Sequence, residues 1–205
     1  LVVVWCFEFG QKWAAFQAIF RGILFILLHF LIINPLSMSD YDTFDFAAYS
    51  NSIRHLATGR MLETLVLSAS LQELKNLPGV WLFDWVKEAA QYSVYKLVTV
   101  EDPATIQGLV SFEERPGFYQ LLLVESASIN KGRRKVYEGV AGNLFAFVCK
   151  LSAEKGYDGV IGFEAKSQLI EHYRKTLGAH SIGNSNRMFI DEAQAEKLIH
   201  LYFPK

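Results

Sequence analysis

Two cysteines, Cys6 and Cys149, are all that the 205 residues carry. Neither has a Cys or His neighbour at metal-ligand spacing, so no disulfide framework and no structural metal are expected, and a reducing compartment is. Charge of one sign is lacking as well: 20 Lys and Arg against 21 Asp and Glu leave a formal net charge of -1. No long-range field then favours nucleic acid or an acidic membrane, and any basic site has to be local. The spacing GxGxxG is missing, so the glycines do not argue for a dinucleotide fold, and the missing phosphate loop GxxxxGK[ST] argues against a nucleotide P-loop. No Ser/His/Asp or Cys/His arrangement stands out, and there are no internal repeats or low-complexity tracts.

What is present first is an apolar start. The run Gly22 to Ile33 inflates the 51% apolar content; without it the rest reads as an ordinary soluble domain. Trp13 to Ile33 approaches the roughly 20 apolar residues that cross a bilayer, yet it carries Gln17, Arg21 and His29. The unbroken part after Arg21 is nearer the length of a signal-peptide core, with no small-x-small cleavage pattern behind it. Three readings stand: a start placed too far upstream, with Met38 and Met61 both ahead of globular-looking sequence; a membrane anchor through residues 13–33; or a buried helix. Residues 1–37 are thus a hydrophobic leader, 38–60 a weakly structured linker and 61–205 one domain with a sizeable core. The expected location is the cytoplasm, or the membrane if the leader is an anchor.

From Met61 the pattern becomes regular. Glu63 to Leu67 reads as a strand, and Ser70 with Glu73 forms a capping box that opens a short helix, stopped at Pro78-Gly79. A second helix is expected over Val80–Gln91. Ser93–Val100, Thr105–Phe112 and Phe118–Ser126 read as an antiparallel meander with turns at Asp102-Pro103 and Pro116-Gly117. The third strand is nearly continuous in apolar residues, as for a central strand buried on both faces. Val140–Glu154 shows an apolar stripe at helical spacing. A strand over Asp158–Phe163, a helix capped by Ser167 and stopped by Gly178, a strand over Arg187–Ile190 and a helix Glu192–Tyr202 capped by Asp191 complete the order. The fold class is α/β (α+β), a mixed and mostly antiparallel sheet flanked by helices, with a crossover from Phe118–Ser126 through the long helix.

The residues that point to chemistry lie at that crossover. Gly139-Val140-Ala141-Gly142-Asn143-Leu144 joins a central strand and the basic loop Lys131-Gly132-Arg133-Arg134-Lys135 to a helix start. Free N–H groups and the positive end of the helix dipole make such a start a site for phosphate, and the loop cations add to it. A solvated charged loop, and glycines placed only for packing, are the plain alternatives. Tyr173, on the apolar face of its helix, is either a core tyrosine or a phenol able to protonate a leaving group. Glu125 and Glu114 are candidate general bases or solvated strand ends, His172 reads as surface, and Cys149 as core.

The strand Tyr119 to Ser126, the glycine segment 139–144 and Leu169-Ile170-Glu171-His172-Tyr173-Arg174-Lys175-Thr176-Leu177-Gly178-Ala179 together resemble the Gcn5-related N-acetyltransferase superfamily. The resemblance covers Met61 to about Ile190. It implies a central strand that splays from its neighbour, with the pantetheine arm of acetyl-CoA in the gap and the diphosphate at a helix start marked R/Q-x-x-G-x-G/A. Val136 stands here where Arg or Gln is usual. The cofactor contacts implied are Leu123 and Val124 on the strand, and Arg134, Lys135, Val136, Tyr137, Glu138, Gly139, Val140, Ala141, Gly142 and Asn143 around the helix start. The backbone N–H of Leu123 or Val124 would polarise the thioester carbonyl, Glu125 or water would take the amine proton, and Tyr173 would protonate the thiolate. Lys166 replaces an Asn common before that tyrosine, and the usual Gly-Phe after it is displaced to Leu177-Gly178-Ala179.

The resemblance thus implies an acetyl-CoA-dependent N-acetyltransferase acting on a small-molecule or peptide amine, with a catalytically degenerate CoA-binding sensor or partner module as the alternative. No nucleic-acid partner is expected, a membrane enters only through the leader, and a homodimer is compatible with the sequence. Trp81, Phe83 and Trp85 belong either to an acceptor pocket or to the core.

Overall fold

The computed structural model describes residues 52–204. The leader, residues 1–37, and residues 38–51 of the expected linker lie outside them, and with them the choice between cytoplasm and membrane. No helix among the described residues is long and apolar enough to cross a membrane.

The elements run β1 (Ser52–His55), β2 (Met61–Ser68), α1 (Leu71–Lys75), α2 (Trp85–Ala89), β3 (Val94–Thr99), β4 (Gly108–Arg115), β5 (Phe118–Ser126), β6 (Tyr137–Glu138), α3 (Val140–Glu154), β7 (Ile161–Glu164), α4 (Ile170–Leu177), β8 (His180–Ser181), β9 (Arg187–Ile190) and α5 (Glu192–Tyr202). They build one sheet in the order β6-β1-β2-β3-β4-β5-β7-β9-β8. Every neighbouring pair is antiparallel except β5 and β7, which are joined by the crossover through α3. This is the mixed, mostly antiparallel sheet flanked by helices that the pattern predicts, in the element order that the family resemblance implies.

Local chemistry explains most boundaries. Ser70 and Glu73 close a full capping box on α1, and Asp191 accepts the N–H of Gln194 at the start of α5. Gly178, at φ 65°, ends α4 in the left-handed conformation that a β-carbon disfavours.

The sheet has an apolar core on each face. On β4, Val110 and Phe112 enter the larger core with Val140, Leu144 and Phe145 of α3 and Leu198 of α5. Leu109 points the other way, to Leu74, Trp85, Val94, Val98 and Ile106 beneath α1 and α2. This period of two makes β4 a strand buried on both sides. Burying side chains such as Leu144 or Leu109 fully stabilises the fold by about 1.5–3 kcal/mol each.

Several boundaries differ from the sequence expectation. Ser52–His55, inside the expected linker, is a strand, paired with β2 on one side and β6 on the other. The helix expected over Val80–Gln91 spans only Trp85–Ala89, because the N–H groups of Leu82 and Phe83 are taken by the Glu125 carboxylate and Asp84 caps Lys87. β7 begins at Ile161 because Asp158 (φ 53°) and Gly159 (φ 77°) form a turn before it. Ser167 gives its hydroxyl to Asn186 Oδ1 at 3.2 Å and opens a short 3-10 turn instead of capping α4.

Candidate functional site

β5 is hydrogen-bonded to β4 along its whole length, from Phe118 to Ser126. Its pairing with β7 stops after two positions, Tyr119 with Ile161 and Gln120 with Gly162. From Leu121 onward the β7-side edge of β5 has no strand partner, and the two strands part. An open edge in the middle of a sheet leaves backbone donors and acceptors for an extended ligand to pair with.

A bulge sets which groups face that opening. Ser111 pairs with Leu123 and Phe112 with Leu121, so Leu122 is an extra residue on β5. Side-chain direction confirms the slip: Leu121 and Val124 pack in the larger core, and Leu123 in the other. The N–H of Leu123 is donated to the Ser111 hydroxyl at 3.2 Å, on the β4 side. Ala127, four residues on, also points its N–H to that side, to the Gln107 carbonyl at 2.8 Å. Alternation along the strand therefore puts the N–H of Val124 on the open edge. Of the two donors expected, Leu123 is thus corrected to a structural bond within the sheet, and Val124 is the one that faces the gap.

The start of α3 lies at the same end of β5. A β-carbon added to Gly108, opposite Ser126, would stand 2.8 Å from Val140 Cγ1, 3.0 Å from Leu144 Cδ1 and 3.1 Å from the Glu125 carbonyl oxygen. The missing side chain lets the first turn of α3 settle onto the strand ends. Gly139 precedes the helix at φ 93° and offers no side-chain cap, and Asn143 donates to its carbonyl at 2.9 Å. The N–H groups of Val140, Ala141 and Gly142 therefore have no partner within the helix, and the helix dipole makes that end positive. Asn143, fully buried, gives Nδ2 to Thr64 Oγ1 at 2.8 Å and ties the turn to β2. Two other expected N–H donors are engaged elsewhere: Val136 donates to Ile129 at 2.8 Å, and Tyr137 to Asn130 Oδ1 at 3.2 Å.

The basic loop is partly neutralised. Lys131 pairs with Glu125 at 2.6 Å, and Lys135 with Glu138 at 3.1 Å. The buried Glu138 also binds Arg54 at 2.6 Å, so Arg54 and Lys135 share one carboxylate near the helix start. Arg134 is exposed next to them. Buried Asn130 holds the loop in shape: its Nδ2 reaches Gln107 O at 3.2 Å and Oε1 at 2.9 Å, while its Oδ1 accepts from Tyr137. Neither Asn130 nor Gln107 carried a sequence signal, since an amide joining two loops has no period.

Glu125 sits at the end of β5 with both oxygens engaged. Oε1 accepts from Leu82 N–H at 2.7 Å and Lys131 Nζ at 2.6 Å, and Oε2 from Trp85 Nε1 at 3.0 Å and Phe83 N–H at 3.3 Å. A carboxylate has about four lone-pair positions, so a proton from an acceptor amine must first displace one of these donors. Trp85 is buried core; Trp81 and Phe83 are half-buried in the loop that Glu125 holds. Glu114 is at the other end of the sheet, bonded to Tyr157 at 2.6 Å and Lys155 at 3.2 Å, and has no place at the opening.

Tyr173 lies on the α3 face of the sheet, half-buried, its ring centroid 5.4 Å from both Phe145 of α3 and Phe163 of β7. Phe163 is the β7 residue next after the last rung with β5, so the phenol is beside the place where the strands part. His172 is half-buried against Tyr173, with rings 5.5 Å apart, and is not the surface residue expected. Burial, and then the Lys135 charge, hold its imidazole below the usual histidine range. Partial desolvation and the Lys131 charge lower Lys166, which follows β7 across from Glu125. Cys149 is fully buried, and desolvation pushes its thiol far up, as for a core residue.

No family model and no curated protein matches the chain. Among solved structures it is similar to AtaTR bound with AcCoA at 12% identity, over 66% of this chain and 98% of that one, with a TM-score of 0.46. It is similar to AtaT complexed with acetyl-methionyl-tRNAfMet at 14% identity, over 67% and 99%, with a TM-score of 0.47. A third likeness is to an IAA acetyltransferase from Bacillus cereus, at 12% identity over 55% of this chain and 75% of that one, with a TM-score of 0.40.

Proposed function

We propose that the domain is an N-acetyltransferase that moves the acetyl group of acetyl-CoA directly to an acceptor amine. One observation carries the reading: β5 loses its β7 partner after Gln120, at the end of the strand where the first turn of α3 offers uncapped N–H groups. An extended amide-rich arm pairs with such an edge, and a diphosphate with such a helix start. Arg134, exposed on the basic loop before the helix start, favours the same anion.

In this reading the Val124 N–H polarises the thioester carbonyl. The amine nitrogen attacks the carbonyl carbon, the new C–N bond forms as the C–S bond breaks, and the amine proton leaves to water. Tyr173 gives its phenolic proton to the departing thiolate and is reprotonated from solvent. Holding amine and thioester in one opening supplies the rest of the rate through proximity.

The engaged oxygens of Glu125 favour a second reading, a CoA-binding module without turnover. Two measurements separate these outcomes. Acetyl-CoA raises the melting temperature in both readings, and no shift at millimolar acetyl-CoA sinks both. CoA release with a panel of amines occurs only in the first. The panel runs from free amino acids and lysine peptides to aminoacyl-tRNA. The last is added because the AtaT complex holds an acetylated one, although the charge balance of this chain gave no reason to expect nucleic acid.

A further inference from the structure

The carboxylate of Glu125 is buried where three segments meet. It belongs to the strand with the open edge, its oxygens accept the backbone N–H groups of Leu82 and Phe83 and the indole N–H of Trp85, and Lys131 of the basic loop closes on it. The segment from Val80 to Phe83 lies outside every helix and strand, and Asp84 after it is tied to α2 by accepting the N–H groups of Lys87 and Glu88. Its sequence is apolar, Val80-Trp81-Leu82-Phe83, and Val80 and Leu82 are exposed. Gly79 packs near Ser128, just beyond the end of β5, so this loop borders the same end of the strand as the opening.

We propose that Glu125 is a positioning residue: it straps the loop 80–85 to β5 and so sets the acceptor-side wall at a fixed distance from the thioester, without itself taking the amine proton. The inference rests on the acetyl-transfer reading for its consequence in catalysis, but the strap itself is a property of the protein alone. Two donors in it are backbone groups on consecutive residues, which no rotamer change can redirect. Charged acceptors also make the stronger hydrogen bonds, so a carboxylate holds this loop more firmly than an amide would. Glu125→Gln keeps the size of the side chain but turns an NH2 group toward two of the four donors.

The test is amide hydrogen exchange on the full chain, followed by kinetics with acetyl-CoA and benzylamine as the probe acceptor. In Glu125→Gln the Leu82 and Phe83 amides exchange at least tenfold faster, while Leu97 and Val110 in the sheet keep their protection and the acetyl-CoA dissociation constant stays within threefold. The benzylamine KM rises about tenfold, and the acid limb of the pH profile of kcat does not move. Trp85→Phe removes one donor only and serves if Glu125→Gln does not fold; it speeds exchange at Phe83 by a smaller factor in the same direction. Unchanged exchange at Leu82 and Phe83 in the variant that folds overturns the strap. Loss of the acid limb with KM unchanged overturns the positioning role and makes Glu125 the base. Failure of the wild-type protein to bind acetyl-CoA removes the transferase reading and leaves the exchange result to decide the strap by itself.

Discussion

The Ser111 hydroxyl accepts the N–H of Leu123 at 3.2 Å and gives its own proton to Glu88 Oε1 at 2.6 Å, joining the bulge on β5 to α2 through one fully buried serine. That bond keeps Leu123 turned toward β4, and so keeps the Val124 N–H on the open edge. Ser111→Ala leaves a buried N–H and a carboxylate oxygen without this partner, and the expected loss is about 1–3 kcal/mol. Urea unfolding measures it. If Val124 is the oxyanion donor, turnover falls more than acetyl-CoA affinity does; equal and small changes in both speak against that role.

Gly142 is the tightest place in the first turn of α3. A β-carbon there would be 2.9 Å from Cζ of the fully buried Tyr202 and nearer still to its hydroxyl. Gly142→Ala therefore drives α3 and α5 apart at the anion site, with an expected cost of roughly 1–3 kcal/mol as for other overpacked positions. Acetyl-CoA affinity falls as well. A melting temperature equal to that of the wild type contradicts the close approach.

Tyr173→Phe keeps the ring against Phe145 and Phe163 and removes only the hydroxyl. Acetyl-CoA binding is expected to stay within about threefold, and turnover to drop by about a hundredfold or more, the scale of a lost general acid. Isothermal titration and a thiol-release assay read the two separately. An unchanged rate returns Tyr173 to the core and favours the silent CoA-binding module.

Acid weakens the fold through Glu73. Its carboxyl is held down from 4.5 to about 2 by the hydrogen bond from Lys96, then by the backbone N–H and hydroxyl of Ser70. The folded value lies below the unfolded one, so the stabilisation is fully present above about pH 4.5 and is lost as the pH falls toward about 2. With 40% of the Glu73 side chain exposed, solvent screening limits the contribution to roughly 1 kcal/mol or less. Urea midpoints of the wild type and Glu73→Gln differ at pH 7 and converge only as the pH falls to about 2. A gap of the same size at both values counts against the pairing.

The elements legible in the sequence were those fixed by local chemistry. Val140–Glu154 and Glu192–Tyr202 stand where the apolar stripe and the Asp191 cap place them, and the late strand Arg187–Ile190 stands with its expected bounds. β1, β6 and β8 were not legible, because Ser-Ile-Arg-His, Tyr-Glu and His-Ser are too short and too polar to carry a strand signal of their own. α2 was overdrawn because nothing in Val80-Trp81-Leu82-Phe83 announces that Glu125, more than forty residues on, captures two of its N–H groups. The same holds for the site. The glycine segment and Tyr173 carried signals of their own, whereas the bulge that chooses Val124 over Leu123 depends on a register between β4 and β5 that alternation alone does not reveal.

The measurement that bears most directly on the account is amide exchange of the full chain with and without acetyl-CoA, read residue by residue. The open edge and the uncapped helix start predict slowed exchange at Val124 and across Val140, Ala141 and Gly142, with Leu123, already bonded to Ser111, little changed. Protection that appears elsewhere, or none at saturating acetyl-CoA, contradicts a cofactor seated between β5 and β7.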